Sequence, residues 1–253
     1  MNVIEDSPYR RAWQDLGAQF GVRWPKPKLI LCISAHWVTT DWWMTGMAQP
    51  KTIHDFGGFP QELFDQQYPA PGAVEWAAQT ARVLRQPHHG QPVGVDLTDW
   101  GLDHGAWGVL KPMFPLADIP VVQLSIDVRR PMSEHFAMGQ QIRALREQGV
   151  LIVASGNTVH NLRAMNRSAA DTEAYDWVID FDQWVADQIS SGHFEALVDF
   201  QALGELANKA HPSVEHFLPL LYAAAAADAQ EPVEFFNEGY QLASIAMRSV
   251  IWG

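Results

Sequence analysis

Leu29-Ile30-Leu31-Cys32-Ile33 is an unbroken apolar run that ends in Ser34-Ala35-His36-Trp37. A run of aliphatic and β-branched residues without polar alternation predicts a strand covered on both faces, which places it inside a layered α/β sheet. Such a strand carries His36 to the carboxyl end of the sheet, where open α/β folds bind ligands. A second run, Val150-Leu151-Ile152-Val153-Ala154, ends in Ser155-Gly156-Asn157-Thr158-Val159-His160 and delivers another imidazole to the same rim. Two strand-borne histidines at one rim point to a metal.

The rest of the chain alternates helix and strand signals. Ser7-Pro8 predicts the cap and first turn of a helix through Leu16, and Pro25 and Pro27 end it before the first strand. Further strands are expected over 42–47, 93–97 and 120–126, and helices over 73–84 and over 131–148, the latter closed by Gly149. The glycine-punctuated segments 53–60 and 101–108 read as loops, the second opening a helix. From Tyr175 to Ala227 the pattern is helical, and the runs 233–236 and 242–251 are expected as closing strands. The fold class expected is therefore α/β, with a largely parallel or mixed central sheet flanked by helices, in a single domain over residues 1–253.

Composition restricts the partner. The chain has 17 basic and 29 acidic residues, a net charge of −12, and no basic run. That field repels nucleic acid and anionic membrane surfaces, so a small molecule is the expected partner; an oligomer stays open. Every apolar stretch is far shorter than the roughly 20 residues of a membrane helix, and Glu5 and Asp6 break any signal-peptide pattern, so a cytoplasmic location is expected. Cys32, the single cysteine, reads as a buried, inert thiol. Trp37, Trp42, Trp43, Trp100 and Trp107 crowd the histidine segments, either as core or as walls of a pocket for a planar substrate.

The ten histidines divide by context. His88, His89, His135 and His193 are expected at the surface. His54-Asp55 and Asp103-His104 pair an imidazole with a carboxylate, an arrangement that fixes a tautomer for acid/base work. In His211-Pro212-Ser213-Val214-Glu215-His216, Ser213 is expected to cap a helix and leave His216 on its first turn. No HExxH or CxxC spacing is present, so local sequence alone does not define a metal site.

These segments, together with Ile53-His54-Asp55-Phe56-Gly57-Gly58-Phe59-Pro60, Gly101-Leu102-Asp103-His104-Gly105 and Glu215-His216-Phe217-Leu218-Pro219-Leu220-Leu221, follow one another in an order that closely resembles the 4,5-DOPA extradiol dioxygenase family. That family belongs to the class III, protocatechuate-4,5-dioxygenase-like ring-cleavage enzymes. The resemblance implies Fe(II) at the carboxyl ends of the strands, with zinc able to occupy the site in purified protein. It implies a catechol and O₂ as substrates, opened to a semialdehyde. By the same resemblance His36 and His216 are metal ligands, His160 is either a further ligand or a catalytic acid/base, and His104 is catalytic. His54, Asp55 and Asn157 are expected to bind substrate, and Glu215 is the alternative third ligand.

One departure stands beside the agreement. The family places a strand and a Gly-His-Gly-Ser-Pro segment, with a metal-binding histidine, just ahead of a Met-Asn that looks like Met1-Asn2 here, so the first strand and one ligand are expected to be lacking. An octahedral iron that holds a catecholate through two oxygens and O₂ through a third position leaves room for three protein ligands. The expectation is therefore that His160 carries protons during turnover. The competing readings are a zinc-dependent hydrolase on a similar scaffold and a non-enzymatic metal-binding relative.

Overall fold

The computed structural model describes residues 3–253, so Met1 and Asn2 lie outside the described residues. Its centre is a five-stranded sheet built from β1 (Leu29–Val38), β2 (Trp43–Thr45), β4 (Gly94–Asp96), β6 (Val121–Ile126) and β7 (Val150–Ser155), in the order β4-β2-β6-β1-β7. Two short strands, β3 (Lys51–Thr52) and β5 (Gly101–Leu102), pair separately. The long apolar run forms the inner strand β1, parallel to β6 on one side and β7 on the other, with Ile30 opposite both Val121 and Leu151. After β1 a short connection, with Asp41 in the left-handed region at φ 63°, reverses the chain. β2 consequently runs antiparallel to β6, and the sheet is mixed.

Alternation along β1 divides its side chains between two cores. Leu29, Leu31 and Ile33 enter one apolar cluster, and Ile30 and Cys32 enter the other. The second is closed by α1 (Pro8–Gln19) and α4 (His104–Met113). On the first face lie α3 (Val74–Val83), α5 (Met132–Ile142), α6 (Asp176–Ser190), α7 (Glu205–Ala210) and α8 (Leu218–Ala226), while the short α2 (Gln61–Phe64) sits in the loop region. Ser7 caps α1 by accepting from the Arg10 amide, as its position in the sequence predicts. α5 and α8 approach so closely at Gly139 that a Cβ there would lie 2.7 Å from that of Ala225 and 2.8 Å from the Tyr222 backbone. Only glycine admits that contact.

Several expectations are corrected. The helix expected over 131–148 ends at Ile142 and tightens into a 3₁₀ segment, Arg143–Gln148, before Gly149 turns the chain at φ 84°. The run 242–251 is not one strand, because Leu242 and Ala243 have φ of 55° and 58°. It splits into β10 (Ile245–Ala246), paired with β9 (Tyr240–Gln241), and β11 (Ser249–Trp252), paired with β8 (Val233–Phe236). Ser213 does not cap a helix: α8 starts at Leu218, and the Ser213 hydroxyl donates to Glu215 instead. His135 is fully buried rather than superficial, its Nδ1 2.8 Å from the Tyr222 hydroxyl, and His88 is half-buried. Both are drawn in by partners on other elements.

β7 is an edge of the main sheet and β11 an edge of its own pair. An apolar groove of about 470 Å³ runs between them, walled also by Phe20, Trp24 and Phe236, and reaches Asn157 and His216 at one end.

His211 supplies a test of the packing. It is enclosed by Phe181, Phe200 and Phe217, and its Nε2–H donates to the Thr158 carbonyl at 2.8 Å. Burial pushes its pKa down to about 4. A histidine whose folded pKa lies below its unfolded value stabilises the fold above the unfolded value, near 6.5, and progressively less as pH falls toward the folded one. Unfolding free energy should therefore drop by roughly 3 kcal/mol from this group between about pH 6.5 and 4, and His211→Leu should flatten that slope. Denaturant titrations across this pH range measure both.

Candidate active site

The carboxyl end of β1 supplies His36, the residues after β7 supply Asn157 and His160, and the turn before α8 supplies His216. The local anchor is Asp103, a carboxylate with no exposed surface that caps α4. Its Oδ1 accepts from the Ser34 hydroxyl at 2.7 Å and the Ala106 amide at 3.1 Å; its Oδ2 accepts from Gln123 at 2.7 Å and Trp100 at 3.2 Å. Four donors and a helix N-terminus stabilise this charge without a cationic partner. The Ser34 oxygen in turn accepts from the His36 amide at 3.2 Å, which fixes the backbone where the strand delivers its histidine.

His36, His104, His160 and His216 converge. Ring centroids lie 3.8 Å apart for His36 and His104, 5.2 Å for His36 and His216, and 3.5 Å for His160 and His216. The last pair is stacked, with 7° between the planes. Asp55 reaches in from the loop after β3: its Oδ2 lies 3.4 Å from His36 Nδ1, and its Oδ1 accepts from the His104 amide at 2.9 Å. His104 Nδ1 also lies 2.9 Å from that carboxylate, but at an angle that makes no hydrogen bond, so this buried nitrogen is left without a partner. His36, Asp55 and His104 form a group whose donor atoms all lie within 4.8 Å of one another.

His216 Nδ1–H donates to Asn157 Oδ1 at 3.1 Å, and Asn157 Nδ2 donates to the Ala246 carbonyl at 3.1 Å. Both ends of the Asn157 side chain are thus engaged by protein. In this geometry Asn157 orients His216. Gly156 permits this approach, since a Cβ there would lie 2.2 Å from the His216 carbonyl oxygen. His54 stands one ring back: its Nε2–H donates to the Gln66 carbonyl at 2.9 Å, and Phe56 lies between it and His104, at 5.8 and 5.4 Å. Glu215 turns its Oε1 to Ser213.

Burial keeps His36, His160 and His216 neutral. It lowers the pKa of His160 to about 4 and that of His216 well below the ordinary value, the neighbouring histidines adding to the effect on His216. His36 is lowered by burial and by His104, against the opposing pull of Asp103, Asp55 and Glu215. For Asp55, burial acts upward, but the close His104 ring and the hydrogen bond from the His104 amide outweigh it and hold the carboxyl below its usual range. Neutral imidazoles with one nitrogen fixed by a hydrogen bond are the form that binds a metal through the other. For His216, Asn157 holds Nδ1 and leaves Nε2; for His36, Asp55 faces Nδ1 and leaves Nε2.

Comparison with known proteins decides the family. Residues 14–251 match the model of the catalytic LigB subunit of aromatic ring-opening dioxygenase. The chain belongs to this family. A 4,5-DOPA dioxygenase extradiol from Escherichia coli K12 is 45% identical over 99% of this chain and 90% of its own length, and one from Mirabilis jalapa is 35% identical over 88% and 82%. A crystal structure of an uncharacterized Escherichia coli K12 protein superposes with a TM-score of 0.81 at 39% identity, covering 98% of this chain and 93% of that one. The LigB-family chain is thus an aromatic ring-opening dioxygenase with a mixed α/β fold, as the sequence resemblance implies. Among the described residues no helix is long and apolar enough to cross a membrane.

Sequence reasoning pairs Asp103 only with His104, missing its role as the cap of α4 and the anchor of Ser34 and Gln123, and gives Phe56 no role of its own. An aspartate directly before a helical segment is an N-cap signal, and that alone would have singled out Asp103. Phe56 carries no local signal. Gly105 ties this framework to the site, because a Cβ there would lie 2.4 Å from Ser34 Oγ and 2.9 Å from His36 Cδ2. Gly105→Val should lower the unfolding free energy by about 1–3 kcal/mol, read by denaturant titration.

Proposed function

We propose that this LigB-family chain is a single catalytic domain that opens a DOPA-like catechol extradiol with O₂ to a ring-opened semialdehyde, using ferrous iron held by His36 and His216. The observation that carries the reading is the convergence of four imidazoles beside a loop wall of aromatic rings. The donor set fits: two histidines have Nδ1 engaged by Asp55 or Asn157, which leaves Nε2 for the metal. When bound, the iron supplies the electronic link between catecholate and O₂, which redox-inert zinc cannot supply.

The stacking of His160 on His216 bears on its role. Lone pairs of two parallel rings 3.5 Å apart lie in parallel planes, so one ion cannot sit in line with both. His160 is accordingly the proton carrier, and its low proton affinity suits a group that accepts a proton only when charge develops beside it. His104, with its unpartnered buried Nδ1, is positioned to hold or pass a second proton, and Asp55 sets its orientation relative to His36. Phe56, half-buried and backed by the core residue Trp107 at 6.1 Å, gives a planar substrate an apolar wall with His54 behind it.

The reading further places the enzyme in the cytoplasm, acting on a small molecule.

With iron loaded, oxygen uptake in the presence of a catechol should accompany formation of a semialdehyde chromophore, and zinc loading should abolish both. His160→Ala should retain iron within about twofold yet lose at least roughly 10²-fold in turnover, the usual worth of a general acid or base. Metal analysis beside oxygen-electrode traces tests this: loss of iron would make His160 a ligand, and unchanged uptake would remove it from catalysis. Ring chemistry that proceeds anaerobically with zinc would instead establish a hydrolase.

A further inference from the structure

A second cluster of metal-ligating side chains lies where the turn after α3 meets the connection between β1 and β2. His88 Nε2 is 3.1 Å from Asp41 Oδ1, and His89 Nε2 is 4.0 Å from Asp41 Oδ2. One donor atom from each of the three residues lies within 4.8 Å of the other two. Behind them, Glu134 on the first turn of α5 places Oε2 3.4 Å from His88 Nδ1. Both of these buried atoms lack a hydrogen-bond partner.

The arrangement is unsatisfied as it stands. His88 lies between two carboxylates, and a neutral imidazole that donates from Nε2 to Asp41 turns a lone pair toward Glu134. A divalent cation resolves the conflict: with the ion on Nε2, the His88 ring carries its hydrogen on Nδ1 and donates to Glu134. That is the carboxylate–histidine–metal relay by which protein sites orient a ligating ring. Donors about 2.0–2.1 Å from a tetrahedral zinc stand roughly 3.3 Å apart, and the two carboxylate–imidazole separations of 3.1 and 4.0 Å bracket that value.

We propose that Asp41, His88 and His89 form a second divalent-metal site, for an ion of the zinc class, with Glu134 holding His88 in position and water completing the shell. Two imidazoles and one carboxylate favour such an ion over calcium or magnesium. His89 is exposed, so the ion has a route in from solvent. The ion would clip the turn at residues 86–90 to the β1–β2 connection, whose Asp41 already holds φ 63°. Two features oppose it and set its strength. Arg130 lies 3.5 Å from Asp41 Oδ1, although Asp127 shares that guanidinium at 3.4 Å. His89 Nδ1 accepts from the Gln91 amide at 3.1 Å and must release it when Nε2 binds metal.

The test uses the whole chain, stripped with chelator and titrated with Zn²⁺ alone. Ions retained per chain should fall by one in His88→Ala and in the exposed-site variant His89→Gln, whatever the dioxygenase centre binds, while ring cleavage by the iron-loaded enzyme stays unchanged. Glu134→Gln should keep the stoichiometry and weaken this site at least tenfold, as loss of an outer partner does. Co²⁺ should broaden the side-chain resonances of His88 and His89 in nitrogen-15 spectra of wild-type protein, and this broadening should vanish in His89→Gln. Equal zinc stoichiometry in wild type and both histidine variants, or no broadening at His88 and His89, would overturn the proposal. Loss of cleavage with the second ion still bound would count against the dioxygenase reading alone.

Discussion

The hydrogen-bonded carboxylate of Asp103 is the fixed point from which the site is built. It joins three elements that are distant in sequence: the end of β1 through Ser34, the middle of β6 through Gln123, and the first turn of α4 through Ala106. A buried carboxylate without these donors would cost several kcal/mol, so the elements cannot separate without exposing it to that penalty. His36 and His104 follow directly. One is two residues beyond Ser34, the other adjoins Asp103, and their rings meet at 3.8 Å because their backbones are pinned to the same charge.

Around that point the site is arranged by neighbours that act through the histidines. Asp55 addresses both His36 and His104, and Asn157 divides its amide between His216 and Ala246. Glycines 105 and 156 let the backbone come close enough for these contacts. The result is a set of neutral imidazoles crowded together under burial, in which adding a proton to one raises the cost for the next. Such a set presents nitrogen lone pairs rather than stored protons.

Much of this was legible from residue order. The apolar run before His36 announces an inner strand and the run before Asn157 a second strand, which forms an edge of the sheet, and strands that end in polar residues announce a rim. What could not be read was the partner of each rim group. His135 looks like a surface histidine on a helix, yet the Tyr222 hydroxyl and Trp42 enclose it from elements far along the chain. Asn157 sits in a motif that suggests substrate contact, but its amide is engaged by a residue 59 positions away. His216 was expected on a helix, but it lies in the turn ahead of it.

Sequence alone determined the layered α/β class, the two histidine-bearing strands, the acidic field that disfavours nucleic acid and the family resemblance. These depend on local properties: apolar runs, β-branching, turn residues and charge. Only the tertiary structure decided that β2 runs antiparallel to β6, that His160 stacks on His216, that Asp55 serves two imidazoles, and that Asp41, His88 and His89 stand together. Those outcomes depend on distances between residues brought together by chain reversal and core packing, and a side chain's hydrogen-bond partner is fixed by where the backbone places it.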